Sequence, residues 1–333
     1  MNKKTVISLV ISSIGFVVFF AVALMVGQYR ISVPDFFRAA FTSDASLQIQ
    51  RSIIVNLRLP RTIMAGLSGI ALSVSGLLYQ EIFQNKLTSP DLLGVSSGSS
   101  VGAAIAIILG LSSVVVSVFS FIMGVATVFI TIVLSKLFRN NSTITLVLAG
   151  IIVGGFMSAL LSLVKYFADP TTTLTSITYW LMGSFENTKM GMVYIMLPIV
   201  VVCCSVIIII SFKLNLVGLG KDEAQTKGNN YVVCRYLLIG IATLLTATSV
   251  AFCGVISWVG LVIPHIVRLI SGRPMEKSVP LCITFGGVFM IIVDILARSF
   301  TKSEIPLSAI TGTIGTVIFV VILFIKRRNN NVG

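Results

Sequence analysis

Two arginines stand close together where a long apolar segment begins. Arg58 and Arg61 lie three residues apart in the stretch NLRLPRTIMAGLSG, residues 56 to 69. A guanidinium group forms paired hydrogen bonds with a carboxylate or a phosphate and stays charged at physiological pH. If the segment is helical, this spacing places both side chains on one face, although Pro60 leaves the geometry at Arg58 open. The chemistry is recognition of an anion, a lipid headgroup or a neighbour within the chain.

Other ionisable residues inside apolar segments are few. Asp294 and Arg298 are four residues apart, so each can neutralise the other on one helix, which favours a local pair over a proton relay. His265 is the only histidine, and its place near a segment end favours a structural hydrogen bond over a pH-sensing role. The sequence therefore contains no convincing set of groups for coupling transport to an ion gradient.

A polar stretch, VGLGKDEAQTKG at residues 217 to 228, contains the dipeptide Gly-Lys. A phosphate-binding P-loop needs an earlier glycine, where Asn215 stands, and a serine or threonine after the lysine, where Asp222 stands. The stretch also follows an apolar segment instead of a soluble strand. A nucleotide site is therefore not predicted, and a solvated connector is the simplest interpretation.

The composition indicates a membrane protein. Of the 333 residues, 56% are hydrophobic and only 11% are charged, whereas soluble domains carry about 25% charged residues. The net charge of +13 does not indicate nucleic-acid binding, because the basic residues cluster at the ends of apolar segments. The five cysteines lie in apolar segments without metal-ligand spacing, so we interpret them as small buried residues and predict no metal site.

Ten apolar segments are long enough, or nearly so, to cross a bilayer, which takes about 20 residues each. They are 5–27, 62–82, 94–110, 112–135, 143–164, 192–212, 232–253, 255–271, 279–298 and 306–325. The third and eighth are short. We predict an all-α polytopic membrane protein with a single domain over 1–333, a retained first span within 1–27 and no extramembrane enzyme.

The distribution of basic residues orients the spans. With both termini in the cytoplasm, fifteen of the 24 lysines and arginines fall inside, including the basic tail 326–333. The outer side still holds nine, and four of these lie within residues 38–61: Arg38, Arg51, Arg58 and Arg61. Arg58 and Arg61 are therefore predicted to lie on the outer side of the membrane.

Small residues recur in several spans, including Gly66, Gly69 and Gly76 in the second. In lipid they permit close van der Waals approach between helices, so we interpret them as packing positions. A serine-lined passage is the functional alternative.

Seven motifs in order along residues 50 to 325 resemble those of the FecCD-type permeases, which serve ABC importers of iron–siderophores, haem and cobalamin. They are LRLPRTIMAGLSGIALSVSGLLYQ, NKLTSPDLLGVSSG, STITLVLAG, GLGKDEAQTKG, GVISWVGLVIPHIVRLISG, DILARS and EIPLSAITGTIG. The family-like core spans 58–325. Two positions depart from the usual pattern: Lys86 replaces a proline, and Ser257-Trp258 replaces Gly-Phe.

The resemblance implies roles for particular residues. Arg58 and Arg61 match arginines that meet acidic residues of a substrate-binding protein, and Arg298 resembles a third. Gly220, Glu223, Ala224 and Gly228 match a loop that seats in the ATPase subunit. Ser142 and Thr143 match a cytoplasmic gate, although they also suit a helix N-cap.

The resemblance also implies a type II ABC importer permease, dimeric with the same or a homologous chain. We expect it to carry an iron–siderophore across a bacterial cytoplasmic membrane, with haem or cobalamin as alternatives. We expect no catalysis and no cofactor in this chain, because a separate ATPase hydrolyses ATP. An ion-coupled secondary transporter and a membrane receptor are the rival classes.

Overall fold

The structure, a computed structural model, describes residues 3–29, 31–41, 45–138, 142–217, 230–272, 274–301 and 303–330. Every regular element in these residues is helical. The α-helices are α1 Lys3–Met25, α2 Val33–Phe41, α3 Gln48–Ser52, α4 Leu59–Ile82, α5 Val95–Ile108, α6 Ser113–Leu137, α7 Thr143–Phe167, α8 Thr173–Met182, α9 Met190–Val217, α10 Tyr231–Cys253, α11 Val259–Ser271, α12 Met275–Ser299 and α13 Leu307–Asn330. The predicted all-α class is confirmed.

Ten of these helices coincide with the ten predicted spans. Seven helices in the described residues are long and apolar enough to cross a membrane, and shorter apolar stretches lie at Val95–Ile108, Val259–Ser271 and Leu307–Ile322, the last being the first part of α13. α5 and α11 correspond to the two segments expected to be short. At 1.5 Å per residue each measures only about 20 Å, less than the roughly 30 Å hydrocarbon core.

The second span is longer than predicted because helical backbone continues through Pro60. α3, a π-helical turn at Ile53–Arg58 and α4 form one helical stretch over Gln48–Ile82. Proline has no N–H to donate to the carbonyl four residues back, so the ladder must be locally relaxed before it. The π-turn does this: the Leu59 N–H bonds to the Ile54 carbonyl, five residues back.

α4 is the centre of the molecule, where glycines allow backbones to touch. It is buried along almost its whole length and packs against α9, α10, α11 and α12. A Cβ added at Gly69 would lie 2.1 Å from the Gly286 carbonyl oxygen of α12, and one at Gly76 would lie 1.8 Å from the Gly260 oxygen of α11. Since atoms cannot approach so closely, only glycine fits at these crossings.

The serines of α4 contribute to the same packing. Ser73 donates to the Cys282 carbonyl at 2.8 Å, and Ser75 donates to the Ala242 carbonyl at 3.0 Å. Both hydroxyls are buried and bridge neighbouring helices. The packing interpretation holds for these residues, and they do not line a passage.

Trp258, one of the departures from the family pattern, has a positive φ of 71° directly before α11. A Cβ added at Gly315 of α13 would lie 2.8 Å from the Trp258 Cβ. The large side chain therefore fits because α13 presents a glycine to it. His265 is buried nearby on α11, with its ring 5.6 Å from that of Phe319.

Candidate functional site

A cavity of about 970 Å³ opens at the end of the bundle that the topology predicts to face outward. It lies among the C-terminal ends of α1, α5, α10 and α12 and the N-terminal ends of α4 and α6, with α8 along its side. These ends meet at one side of the bundle because successive spans alternate in direction. All three arginines singled out in the sequence, Arg58, Arg61 and Arg298, line this cavity.

Arg58 binds the C-terminal end of α1. Its Nη1 donates to the carbonyls of Leu24 and Met25 at 2.9 and 2.7 Å, and its Nη2 donates to that of Tyr29. The Leu24 and Met25 carbonyls are orphan carbonyls at a helix end, where a cation is also favoured by the helix dipole, and the Tyr29 carbonyl belongs to the connection that follows. Gly27 makes room, since a Cβ there would lie 3.0 Å from Arg58 Nη2. Arg58 is only 5% exposed, so it contacts its own chain extensively.

Arg61 lies between two carboxylates. Its Nε donates to Asp294 Oδ1 at 2.7 Å, and its Nη1 donates to Glu304 Oε1. The remaining nitrogen, Nη2, is buried and has no hydrogen-bond partner among the described residues. The two acids come from α12 and from the connection between α12 and α13, so Arg61 joins the start of α4 to both.

Arg298 shares Asp294 with Arg61. The Arg298 Nε lies 3.4 Å from Asp294 Oδ2, which confirms the local pair predicted from their spacing of four. Arg298 Nη2 also donates to the Ala23 carbonyl of α1 at 2.5 Å. The ion pair at Arg61 is shorter, however, so the predicted local pair is one part of a larger cluster.

Backbone hydrogen bonds tie the connections around the cavity together. Leu307 N–H donates to the Gly183 carbonyl at 3.1 Å, and Ser184 N–H donates to the Cys253 carbonyl at 3.0 Å. Gly183 has a φ of +73°, and a Cβ added there would lie 2.9 Å from the Val255 carbonyl oxygen. The ends of α8, α10 and α13 are therefore held in one rim.

Sequence reasoning missed Glu304. It lies in the motif EIPLSAITGTIG but carried no local signal, because its partner Arg61 is 243 residues away in the chain. The one feature of Glu304 that the sequence shows is its position: it is an acid at the predicted outer end of a span, close to basic residues.

The opposite end of the bundle carries a second group of predicted residues. Ser142 caps α7, with its Oγ accepting a hydrogen bond from the Thr145 N–H at 3.1 Å, and Thr143 is the first residue of the helix. The N-cap interpretation is confirmed, and the gate role stays a prediction. Gly220, Glu223, Ala224 and Gly228 lie outside the described residues.

At this end, which the topology predicts to face the cytoplasm, polar side chains join two pairs of helices. Arg268 of α11 donates to Glu81 Oε1 of α4 at 2.9 Å and also to the side-chain oxygen of Gln80. Asn215 of α9 donates to Glu276 Oε1 of α12 at 3.0 Å and accepts from the Met275 N–H at 2.7 Å. The ends of α4 and α11, and those of α9 and α12, are thus joined to each other at this side of the bundle.

One exposed acid, at the end of the bundle that the topology predicts to face outward, is held firmly in its charged form. Asp169, between α7 and α8, accepts hydrogen bonds through Oδ1 from the hydroxyls and backbone N–H groups of Thr171 and Thr172. These bonds, led by the Thr171 hydroxyl, lower the pKa of Asp169 to about 2.

Within the described residues, no group of three or more histidine, cysteine, aspartate or glutamate side chains is placed to hold a metal ion.

The chain is similar to known transport proteins along most of its length. A family model described as the FecCD transport family matches residues 15–325. The chain is 34% identical to the molybdate import system permease protein MolB of Haemophilus influenzae, over 92% of each chain. It is 30% identical to a protein of Helicobacter pylori strain 26695 named as an iron chelatin transport system permease, over 86% of this chain and 87% of that one.

A solved structure matches the fold closely. It is described as an inward-facing conformation of a metal-chelate type ABC transporter, and it superposes with a TM-score of 0.86 at 34% identity. The match covers 95% of this chain and 98% of that one.

Proposed function

Because the chain belongs to the FecCD transport family, the permeases of ABC importers, we propose that it carries an iron–siderophore complex across the bacterial cytoplasmic membrane. The energy comes from ATP hydrolysed by a separate ATPase chain, and substrate is delivered by an extracytoplasmic binding protein. Two permease chains, identical or homologous, enclose the pathway. Both termini lie in the cytoplasm.

The observation that carries this proposal is the cavity that gathers Arg58, Arg61 and Arg298 at one end of the bundle. Charge complementarity steers two proteins together and sets their register. An acidic binding protein would meet these cations at the cavity, and a two-fold dimer would present them once to each of its lobes. Docking of this kind weakens as salt is raised, because salt screens the long-range attraction between two oppositely charged surfaces beyond about 8 Å at physiological ionic strength.

The placement of charged side chains favours ATP as the energy source. A secondary carrier needs titratable or coordinating groups at mid-membrane. In the described residues the ion pairs lie near the ends of the bundle: Arg61 with Asp294 and Glu304 at one end, and Arg268 with Glu81 at the other. These ion pairs join neighbouring helices.

The names of the relatives and of the solved structure bear on the choice of substrate. One relative is named for an iron chelatin and the solved structure for a metal chelate, whereas another relative is named for molybdate. Haem and cobalamin are further alternatives. The cavity of about 970 Å³ has room for a bulky chelate as well as for a small oxyanion, so its size does not separate them.

The test is uptake in a strain that lacks this chain. Radiolabelled iron–siderophores, haem, cobalamin and molybdate are supplied in parallel, with and without the wild-type gene restored. We expect only iron–siderophore uptake to depend on the chain and to persist with a protonophore when ATP is held constant. If molybdate or cobalamin uptake depended on the chain instead, the proposed substrate would be wrong. If uptake were lost when only the ion gradient is collapsed, the proposed energy source would be wrong.

A further inference from the structure

The two carboxylates bound by Arg61 differ in how firmly they are held. Asp294 is a helical residue whose side chain is completely buried, and Arg298 binds it as well. Glu304 belongs to the connection between α12 and α13, and its side chain is 20% exposed. Its only other hydrogen bond within the described residues is a long one of 3.5 Å from the Ser184 hydroxyl. Glu304 is therefore the partner that can leave.

Arg61 cannot be left without this second carboxylate at low cost. Arg61 and Arg298 carry two positive charges, and Asp294 supplies one negative charge between them. If Glu304 moved away with nothing in its place, one positive charge would stay largely buried without compensation, which is strongly destabilising. The site therefore needs either Glu304 or another carboxylate at all times.

We propose that Glu304 occupies on Arg61 the place that an acidic side chain of the docked binding protein takes. Docking is then an exchange of carboxylates, and Glu304 sets the affinity by competing for the arginine. When the binding protein leaves, Glu304 returns and keeps the buried charge compensated. This inference rests on the proposed function, since it requires an acidic partner at this cavity.

The exchange would also act on the cavity rim. Glu304 connects the segment 303–306 to Ser184, and the neighbouring Leu307 N–H bonds to the Gly183 carbonyl. Release of Glu304 removes one of these links while the backbone hydrogen bond between Leu307 and Gly183 holds. Binding of a partner at Arg61 would thus break the hydrogen bond between Glu304 and Ser184, in the connection that follows α8.

The test compares Glu304→Gln with Glu186→Gln. Glu186 is an exposed acid on the same cavity, and within the described residues it forms no ion pair, so its change alters the local charge equally without touching Arg61. The binding protein that supports uptake with the wild-type chain is purified. Its dissociation constant is then measured for each variant in lipid nanodiscs at low and high salt.

We expect Glu304→Gln to bind the partner several-fold more tightly than wild type, because the internal competitor is weakened. Glu186→Gln should show only the small change common to loss of any nearby negative charge. Glu304→Asp keeps the charge but shortens the side chain, so it should also bind the partner more tightly. This variant replaces Glu304→Gln in the test if Glu304→Gln does not fold.

Equal or weaker binding by the folded Glu304 variants would overturn the exchange and leave Glu304 as a support that orients Arg61. Failure of the wild-type chain itself to bind would instead overturn the docking proposal.

Discussion

At the scale of single residues, Arg58 and Arg61 are neighbours in sequence with different tasks in the structure. Arg58 binds three carbonyls at the end of α1, whereas Arg61 binds two carboxylates from the other end of the chain. A helical spacing of three places both at the cavity, but the π-turn before Pro60 and the distinct partners separate their contacts. Arg58 is thus first a structural residue of the α1–α4 junction.

Replacing Arg58 should therefore reduce stability before it affects any partner. Arg58→Ala leaves the carbonyls of Leu24, Met25 and Tyr29 without their shared donor, and each hydrogen bond to a charged group contributes about 1.5–3 kcal/mol. We expect a clear fall in the melting temperature of the detergent-solubilised protein, with Arg58→Lys intermediate because an ammonium group cannot span all three oxygens.

The matched control is Arg51→Ala, which removes an exposed arginine about two turns earlier in the same helical stretch. Its melting temperature should stay close to that of wild type, because interactions of an exposed charge contribute only about 0–1 kcal/mol. A wild-type melting temperature in Arg58→Ala would show that the carbonyl contacts contribute little, and Arg58 would then be better described as a docking residue only.

At the scale of elements, the bundle is organised by the close approach of α4 to its neighbours. The glycines at this contact permit backbone-to-backbone packing with α11 and α12, and the serines beside them bond to neighbouring carbonyls. Apolar surface gains little from helix contact in lipid, so this fit is the main source of specificity. The two short helices, α5 and α11, follow from the same packing, since non-helical backbone at membrane depth is tolerated only where protein surrounds it.

Gly76→Ala tests this organisation. The new Cβ would lie 1.8 Å from the Gly260 oxygen, so α4 and α11 must separate, and overpacking of this kind costs about 1–3 kcal/mol or more. We expect a lower melting temperature and reduced yield. Gly15→Ala on α1 is the control, because a Cβ there meets nothing within 4 Å, and helix propensity alone should make it neutral or slightly stabilising. Equal behaviour of the two variants would contradict the packing role.

At the scale of the whole molecule, transport requires that the two ends of the bundle communicate. The outer cavity and the inner cluster around Arg268 and Glu81 are joined by α4 and α12, which contribute residues to both. A packed core of this kind transmits shifts of whole helices instead of deforming continuously. The proposed ATPase contact, residues 220–228, adjoins the inner cluster in sequence through α9 and α10.

Ala224→Trp should uncouple the chain from its ATPase. The bulky indole would prevent close seating of the loop, while membrane insertion depends on the spans and should be unchanged. We expect loss of ATPase co-purification and of ATP-driven uptake, measured against Ala224→Ser, which keeps the residue small. Normal co-purification and uptake in Ala224→Trp would refute the coupling role of this loop.

The sequence by itself determined the number and order of the helical spans, because the cost of placing polar groups in lipid is decided locally, about 20 residues at a time, and its basic residues predict their direction. It also determined the pair of Asp294 and Arg298, since a spacing of four on a helix brings two side chains together. Only the tertiary structure decided that Arg61 joins this pair and that Glu304 completes it, because those contacts connect residues 233 and 243 positions apart. Partners so distant are chosen by how helices pack, and packing depends on all contacting surfaces at once.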